Sequence, residues 1–162
     1  TGIPLDKREV MEMVHIAHEE GLAVMSHTNG AYGVQAALEA GVDSVEHGNY
    51  IDEETIKRLA DSDTVWVPTL VTVRNLRGCG RYEEEVIAPI IELAEENLRL
   101  AWKYKAKVAL GSDAGAYMVP HGKGILDEYN AFSEILGQSE PVYAWLADGE
   151  KRIQDTFRRP EC

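Results

Sequence analysis

The chain has 162 residues, 44% of them apolar, and a formal net charge of −12 with its five histidines neutral. That length carries one domain with a real core but falls short of the about 250 residues of a complete (β/α)8 barrel. No apolar run approaches the roughly 18 residues of a membrane span, and the negative charge repels phosphate backbones and anionic lipid, so a small-molecule partner is expected rather than nucleic acid or a membrane.

In chain order, Thr1 follows no Met and no basic and apolar leader pattern, and it reads as an internal start. Asp6 caps a predicted helix to about Glu20, with Glu9 three residues on in a capping-box pattern and Val10, Met13, Val14 and Ala17 as its buried stripe. Gly21 stops it. Residues 22–26 are a short apolar strand ending at His27, and residues 32–40 a helix closed by Gly41. A second strand, 43–46, ends at His47, and Asp52 caps a third helix over 53–60. The β-branched stretch 64–71 predicts a third strand with Pro68 near its end, followed by a polar loop over 74–81. A long helix spans 83–105, with Pro89 in its first turns or at a kink. The fourth strand, 107–110, runs into Gly111, Ser112 and Asp113. Helices over 126–136 and 141–157 complete the chain, the last weakened at Gly149. Cys79 and Cys162 form no CxxC pair, which points to a reducing, cytoplasmic setting. Strands alternating with helices predict an α/β fold with a parallel sheet.

Three of the four strands finish on a metal-ligand residue with a glycine close behind: His27 then Gly30, His47 then Gly48, Asp113 then Gly115. In parallel α/β sheets the C-terminal strand ends are where ligands bind. Two imidazoles and a carboxylate suit Zn²⁺ or a similar divalent ion. Neighbouring strands lie about 4.8 Å apart, so His27 and His47 reach one ion from adjacent strands, whereas Asp113 joins them only if the sheet curls as in a barrel. Glu46, next to His47, is expected on the opposite face of its strand, in a structural role. His15 and His18 lie among glutamates on a solvated helix face, and the acidic clusters at 52–54 and 83–85 favour helix N-termini.

The segments AHEEG, SHTNGAYG, AALEAGVDSVEHGNYID, VPTL, ALGSDAG and PHG together resemble the metal-dependent amidohydrolase superfamily, in its imidazolonepropionase-like and prolidase-like branch, over residues 1–137. The resemblance implies the C-terminal half, strands five to eight, of a TIM-like (β/α)8 barrel, with residues 138–162 as a helical extension. It places metal ligands on His27 and His47, and on Asp113 both a metal ligand and the catalytic proton shuttle. It puts His121, in the PHG segment, at the rim of the substrate pocket, and Tyr32 is a further candidate pocket residue. The family's HxH on strand one and its bridging carboxylated Lys or Glu on strand four have no counterpart here, since no HxH occurs in the chain. The implied activity is hydrolysis of C–N bonds in small amide or peptide-like substrates by a metal-activated water, with zinc the expected metal, one or two ions in the complete barrel. Two other functions fit the same residues: a catalytically incomplete half-barrel that acts as a folding or assembly module, and a phosphoester or lactone hydrolase. Open sheet edges on such a half predict self-association or pairing with the missing half.

Overall fold

The computed structural model describes residues 5–158, so Thr1 and Cys162 lie outside the described residues. Helix α1 (Lys7–Glu19) begins at Asp6, whose carboxylate accepts the N–H groups of Arg8 and Glu9 while Glu9 reaches back to the Asp6 N–H, as the capping pattern predicts. Its buried stripe is narrower than expected: Val14 is buried but Met13 is 55% exposed. The turn at Gly21 bonds Leu22 N–H to Ala17 O, and Val24 N–H goes to the Asp43 carboxylate. Those bonds take residues 22–24 out of the ladder, so β1 (Met25–Thr28) starts later than expected and His27 lies inside the strand rather than just past its end.

Helix α2 (Ala31–Ala40) ends in a left-handed Gly41, and β2 (Ser44–His47) follows. Helix α3 (Glu53–Asp61) is capped by Asp52, which accepts the Thr55 N–H. The strand expected over 64–71 is only β3 (Val65–Val67). Pro68 has no N–H to give the ladder, and the chain turns at Thr69 into the single-turn helix α4 (Val71–Arg74). After α5 (Glu84–Tyr104), the fourth strand is reduced to one parallel bridge between Trp66 and Val108, held by Trp66 N–H to Lys107 O and Ala109 N–H to Trp66 O. Helices α6 (Gly124–Leu136) and α7 (Glu140–Phe157) finish the described chain.

The sheet is parallel throughout, in the order β1-β2-β3, with His27 level with Glu46 and Glu46 level with Val67. Its two faces are unequal. Val45, Trp66 and Val108 point into the main core with Val34, Ile56, Leu59, Leu98 and Phe132 from the helices. On the other face Val65, Val67 and Ala109 form a small cluster with Ile153 of α7. Helix α7 joins both: Val142 and Leu146 enter the main core, and Trp145 donates its indole N–H to Ala106 O. Between them Gly149 lies flat on the Val108 carbonyl, where an added Cβ would sit 1.8 Å from the oxygen. The glycine that reads as a weak point in the helix is therefore a close-packing point. No helix of the described residues is long and apolar enough to cross a membrane.

One acid is sealed in this core. Glu128 of α6 is 0% exposed, and its two carboxylate oxygens accept the N–H groups of Leu70 and Val71, each at 2.9 Å. Burial pushes its pKa up from 4.5 to about 7, against the opposing pull of those two N–H groups and of Arg74. The folded pKa lies above the unfolded one, so the native state holds a proton that the unfolded chain loses first as pH rises. Relative to a Glu128→Gln variant, the wild type is expected to lose up to about 3 kcal/mol of stability between about pH 4.5 and pH 7, then level off. Urea unfolding midpoints of both proteins across that range check it, and a constant difference contradicts it.

Candidate functional site

The side chains expected at the metal site line one cavity of about 360 Å³ at the C-terminal ends of the strands, walled by Met25, His27, Glu46, His47, Thr69, Gly111 and Asp113. Three of the four strand ends enter it through a residue forced out of extended geometry. His47 closes β2 at φ 68°, Thr69 follows β3 at φ 49°, and Asp113 follows the fourth strand at φ 52°. Left-handed backbone costs a non-glycine residue about 1 to 3 kcal/mol and persists only where its surroundings enforce it. Three such residues around one cavity mark a built site.

The left-handed turn at His47 also corrects the expectation for Glu46. In a regular strand the two would point to opposite faces. Because His47 leaves the extended region, its ring swings back to the face that Glu46 and His27 already share, and all three line the cavity. Glu46 accepts a hydrogen bond from Ser44 Oγ, two residues back on the same face.

His47 is held at both nitrogens. Its Nδ1 lies 2.6 Å from Thr69 Oγ1, and the Thr69 hydroxyl donates to Pro68 O at 2.8 Å. When the Thr69 proton lies on Pro68 O, Thr69 accepts from His47 Nδ1–H and the ring turns its Nε2 lone pair toward His27 Nδ1, 2.9 Å away. The rings meet edge to face with centroids 4.4 Å apart. Burial lowers the His47 pKa, and the neighbouring His27 lowers it further against the pull of Asp113, so the site favours the neutral ring. Burial likewise raises the Glu46 carboxyl, opposed by the Ser44 bond and by His27 and reinforced by Asp113.

The histidine pair fits a divalent ion. Two nitrogens bound tetrahedrally at about 2.0 to 2.1 Å lie about 3.3 Å apart, so the facing pair at 2.9 Å needs only slight opening and loss of the proton it shares. Thr69 supplies the outer hydrogen bond that orients such a ligand. Asp113 stands in the same cavity wall, but among the described residues no group of three His, Cys, Asp or Glu side chains converges closely enough to hold an ion. His121 is placed elsewhere, on the wall of a larger cleft of about 1050 Å³ with Arg74, Asn75, Lys123 and Glu134. Tyr32 is 74% exposed on the first turn of α2 and does not line either cavity.

The pair also depends on its scaffold. The His47 carbonyl accepts the buried indole N–H of Trp66 at 2.9 Å, and Gly48, at φ 62°, passes so close that an added Cβ would lie 2.8 Å from that same nitrogen. Gly111 is equally confined, since an added Cβ there would lie 2.4 Å from Val67 Cγ1. Sequence patterning alone misses Thr69 and Glu128. The signal for Glu128 is present, however: it is the one acid in the buried stripe Gly124, Glu128, Ala131 and Phe132 of α6.

No family model matches the chain. An uncharacterised protein of Mycobacterium tuberculosis is 30% identical over 139 residues, covering 82% of this chain and 37% of that protein. Ochratoxinase of Aspergillus niger is 30% identical over 111 residues, covering 65% of this chain and 23% of the relative. The chain thus spans well under half the length of the curated relatives it matches. Among solved structures, a Xaa-Pro dipeptidase with methionine bound in its active site superposes with a TM-score of 0.75 at 24% identity, over 98% of this chain and 39% of that one. A prolidase complexed with N-methylphosphonate-L-proline gives 0.67 at 28% identity over 82% and 33%. An amidohydrolase gives 0.66 at 26% identity over the same shares. The chain is an α/β protein with a small parallel sheet, and its fold is similar to part of those amidohydrolase and prolidase structures.

Gly48→Ala is expected to cost about 2 kcal/mol, because it combines left-handed strain with a clash that breaks the Trp66 to His47 hydrogen bond. Gly78→Ala, at φ 69° with nothing within 4 Å of the added carbon, is expected to cost less, from strain alone. Urea unfolding of the two variants makes the comparison, and equal losses contradict the packing role of Gly48.

Proposed function

We propose that the chain provides strands five to eight of a (β/α)8 metal-dependent amidohydrolase barrel acting on C–N bonds of small amide or peptide-like substrates. The observation that carries this reading is the His27–His47 pair, with the His47 Nε2 lone pair aimed into a cavity that also holds Asp113. Support comes from the prolidase and amidohydrolase structures that share its fold over most of its length.

His27 Nδ1 and His47 Nε2 are the atoms that would hold the ion, with zinc the preferred metal for imidazole and carboxylate ligands. When bound, such an ion supplies Lewis acidity, acidifying a water and polarising the scissile carbonyl. The work of the chain's own groups is to orient and to move a proton. Thr69 keeps the His47 proton on Nδ1, so the ring stays a neutral donor throughout. The Asp113 carboxylate accepts the proton of the attacking water as the oxygen bonds to the carbonyl carbon, then returns it to the nitrogen as the C–N bond breaks. We assign His121, on the wall of the larger cleft, to the part of the substrate beyond the scissile bond. The phosphoester or lactone reading rests on the same ligands, and amide turnover without ester turnover by the complete enzyme removes it.

Among the described residues one edge of β1 is unpaired, which supports a partner. Leu22 and Met25, just before and on that strand, and Met13 and Ile16 of α1 are each more than half exposed, and an unpaired edge with apolar side chains recruits another strand. Size-exclusion chromatography with light scattering is expected to show self-association, and a strictly monomeric, folded species contradicts it.

Calorimetric titration with Zn²⁺ tests the central reading. One site is expected, lost in His47→Ala and weakened in Asp113→Ala. Unchanged binding in His47→Ala, in a variant that folds, overturns it.

A further inference from the structure

We propose that Glu128 is a positioning residue for His47: from helix α6 it fixes the turn that carries Thr69, and through Thr69 it decides which nitrogen of His47 bears the proton. The inference rests on the reading of His47 as a metal ligand only for its consequence in metal binding; the proton placement stands on contacts within the chain.

The connection is continuous. Both Glu128 oxygens accept from consecutive N–H groups, Leu70 and Val71, across 58 and 57 residues of sequence. Those two residues directly follow Thr69, which is 3% exposed and held at φ 49°, a region a β-branched side chain avoids. Pro68 restrains Thr69 on one side and the Glu128 bonds restrain it on the other. In that conformation Thr69 Oγ1 is 2.6 Å from His47 Nδ1 while its own proton is spent on Pro68 O. Releasing the turn frees Thr69 to relax toward ordinary geometry, and the acceptor at Nδ1 goes with it.

A group that only filled space in the core would be apolar, since sealing a carboxylate away from water is costly unless its bonds do something no apolar side chain can. An apolar replacement also strands two buried N–H groups at the start of the turn. The acid that burial penalises most in the described chain thus stands one turn of backbone away from the ring whose proton state the site depends on. It never touches that ring, so its role is to position rather than to react.

The test reads the tautomer directly. Histidine-¹⁵N-labelled, zinc-free protein is examined by long-range ¹H–¹⁵N correlation at a pH where His47 is neutral. The wild type is expected to show His47 protonated on Nδ1. Glu128→Ala and Thr69→Val are each expected to give a mixture with the Nε2–H form and to weaken Zn²⁺ binding by roughly 10- to 100-fold, and the double variant is expected to lose no more than Thr69→Val alone. Glu128→Gln, which keeps one acceptor oxygen, is the variant to use if Glu128→Ala does not fold, and a smaller shift in the same direction is expected. A folded Glu128 variant with His47 still wholly Nδ1–H and unaltered Zn²⁺ affinity overturns the proposal. A tautomer that responds in a protein that binds no Zn²⁺ supports the positioning role while removing the metal-ligand reading, so the two fail separately.

Discussion

The hydrogen bond between His47 Nδ1 and Thr69 Oγ1 is the contact on which the rest of the site turns. An imidazole has two nitrogens and, when neutral, one proton, so fixing the proton on one nitrogen presents a lone pair on the other. Thr69 does this while lying in a backbone conformation it would not choose, and His47 does so at the end of a strand it has already left. The strain at both residues is offset by neighbours that leave little freedom: Trp66 bonded to the His47 carbonyl, Gly48 threaded past that indole, Pro68 before Thr69 and Glu128 behind it. What results is a His47 nitrogen that faces a second imidazole at 2.9 Å, close to the separation of two nitrogens sharing a metal ion.

The scaffold explains how so short a sheet holds such geometry. β3 has three residues and the fourth strand only a bridge, so regular pairing contributes little on that side. Packing takes over. Trp66 is a centre of the main core on one face and a hydrogen-bond donor to the site at the other end of its ring, which ties cavity geometry to core density. On the opposite face α7 comes down on the Val108 carbonyl through Gly149 and covers Val65, Val67 and Ala109 with Ile153. β1, at the far side, has no such cover among the described residues, where Leu22 and Met25 are more than half exposed. The two sides of one small sheet are therefore treated differently: one is closed by the chain's own helix and the other stays open.

Much of this was legible in the sequence where the physics is local. Asp6 and Asp52 cap the helices they were expected to cap, Gly41 ends its helix in left-handed geometry, and the alternation of strands and helices yields the parallel sheet. The expectations that moved did so for non-local reasons. The strand through 64–71 stops at Val67 because Glu128, far along the chain, bonds the N–H groups of Leu70 and Val71 and commits that stretch to a turn. Glu46 joins the site because alternation assumes extended backbone, and His47 is not extended. Met13 is exposed because α1 packs chiefly on α2 and so buries less than a full stripe. Thr69 carries no sequence signal of its own, since a threonine after a proline at a strand end looks like any β-edge residue. Glu128 does carry one, an acid at a buried helix position, and its meaning emerges only once the partner turn is in place.

The most direct test of the account is X-ray absorption at the zinc edge of protein loaded with one equivalent of Zn²⁺. The account predicts a first shell containing two imidazole nitrogens at about 2.0 to 2.1 Å, with the outer-shell scattering of the rings, falling to one imidazole in His27→Ala. A shell of oxygen ligands without imidazole scattering would contradict it, and the His27–His47 contact would then be a hydrogen bond between two cavity-lining rings and nothing more.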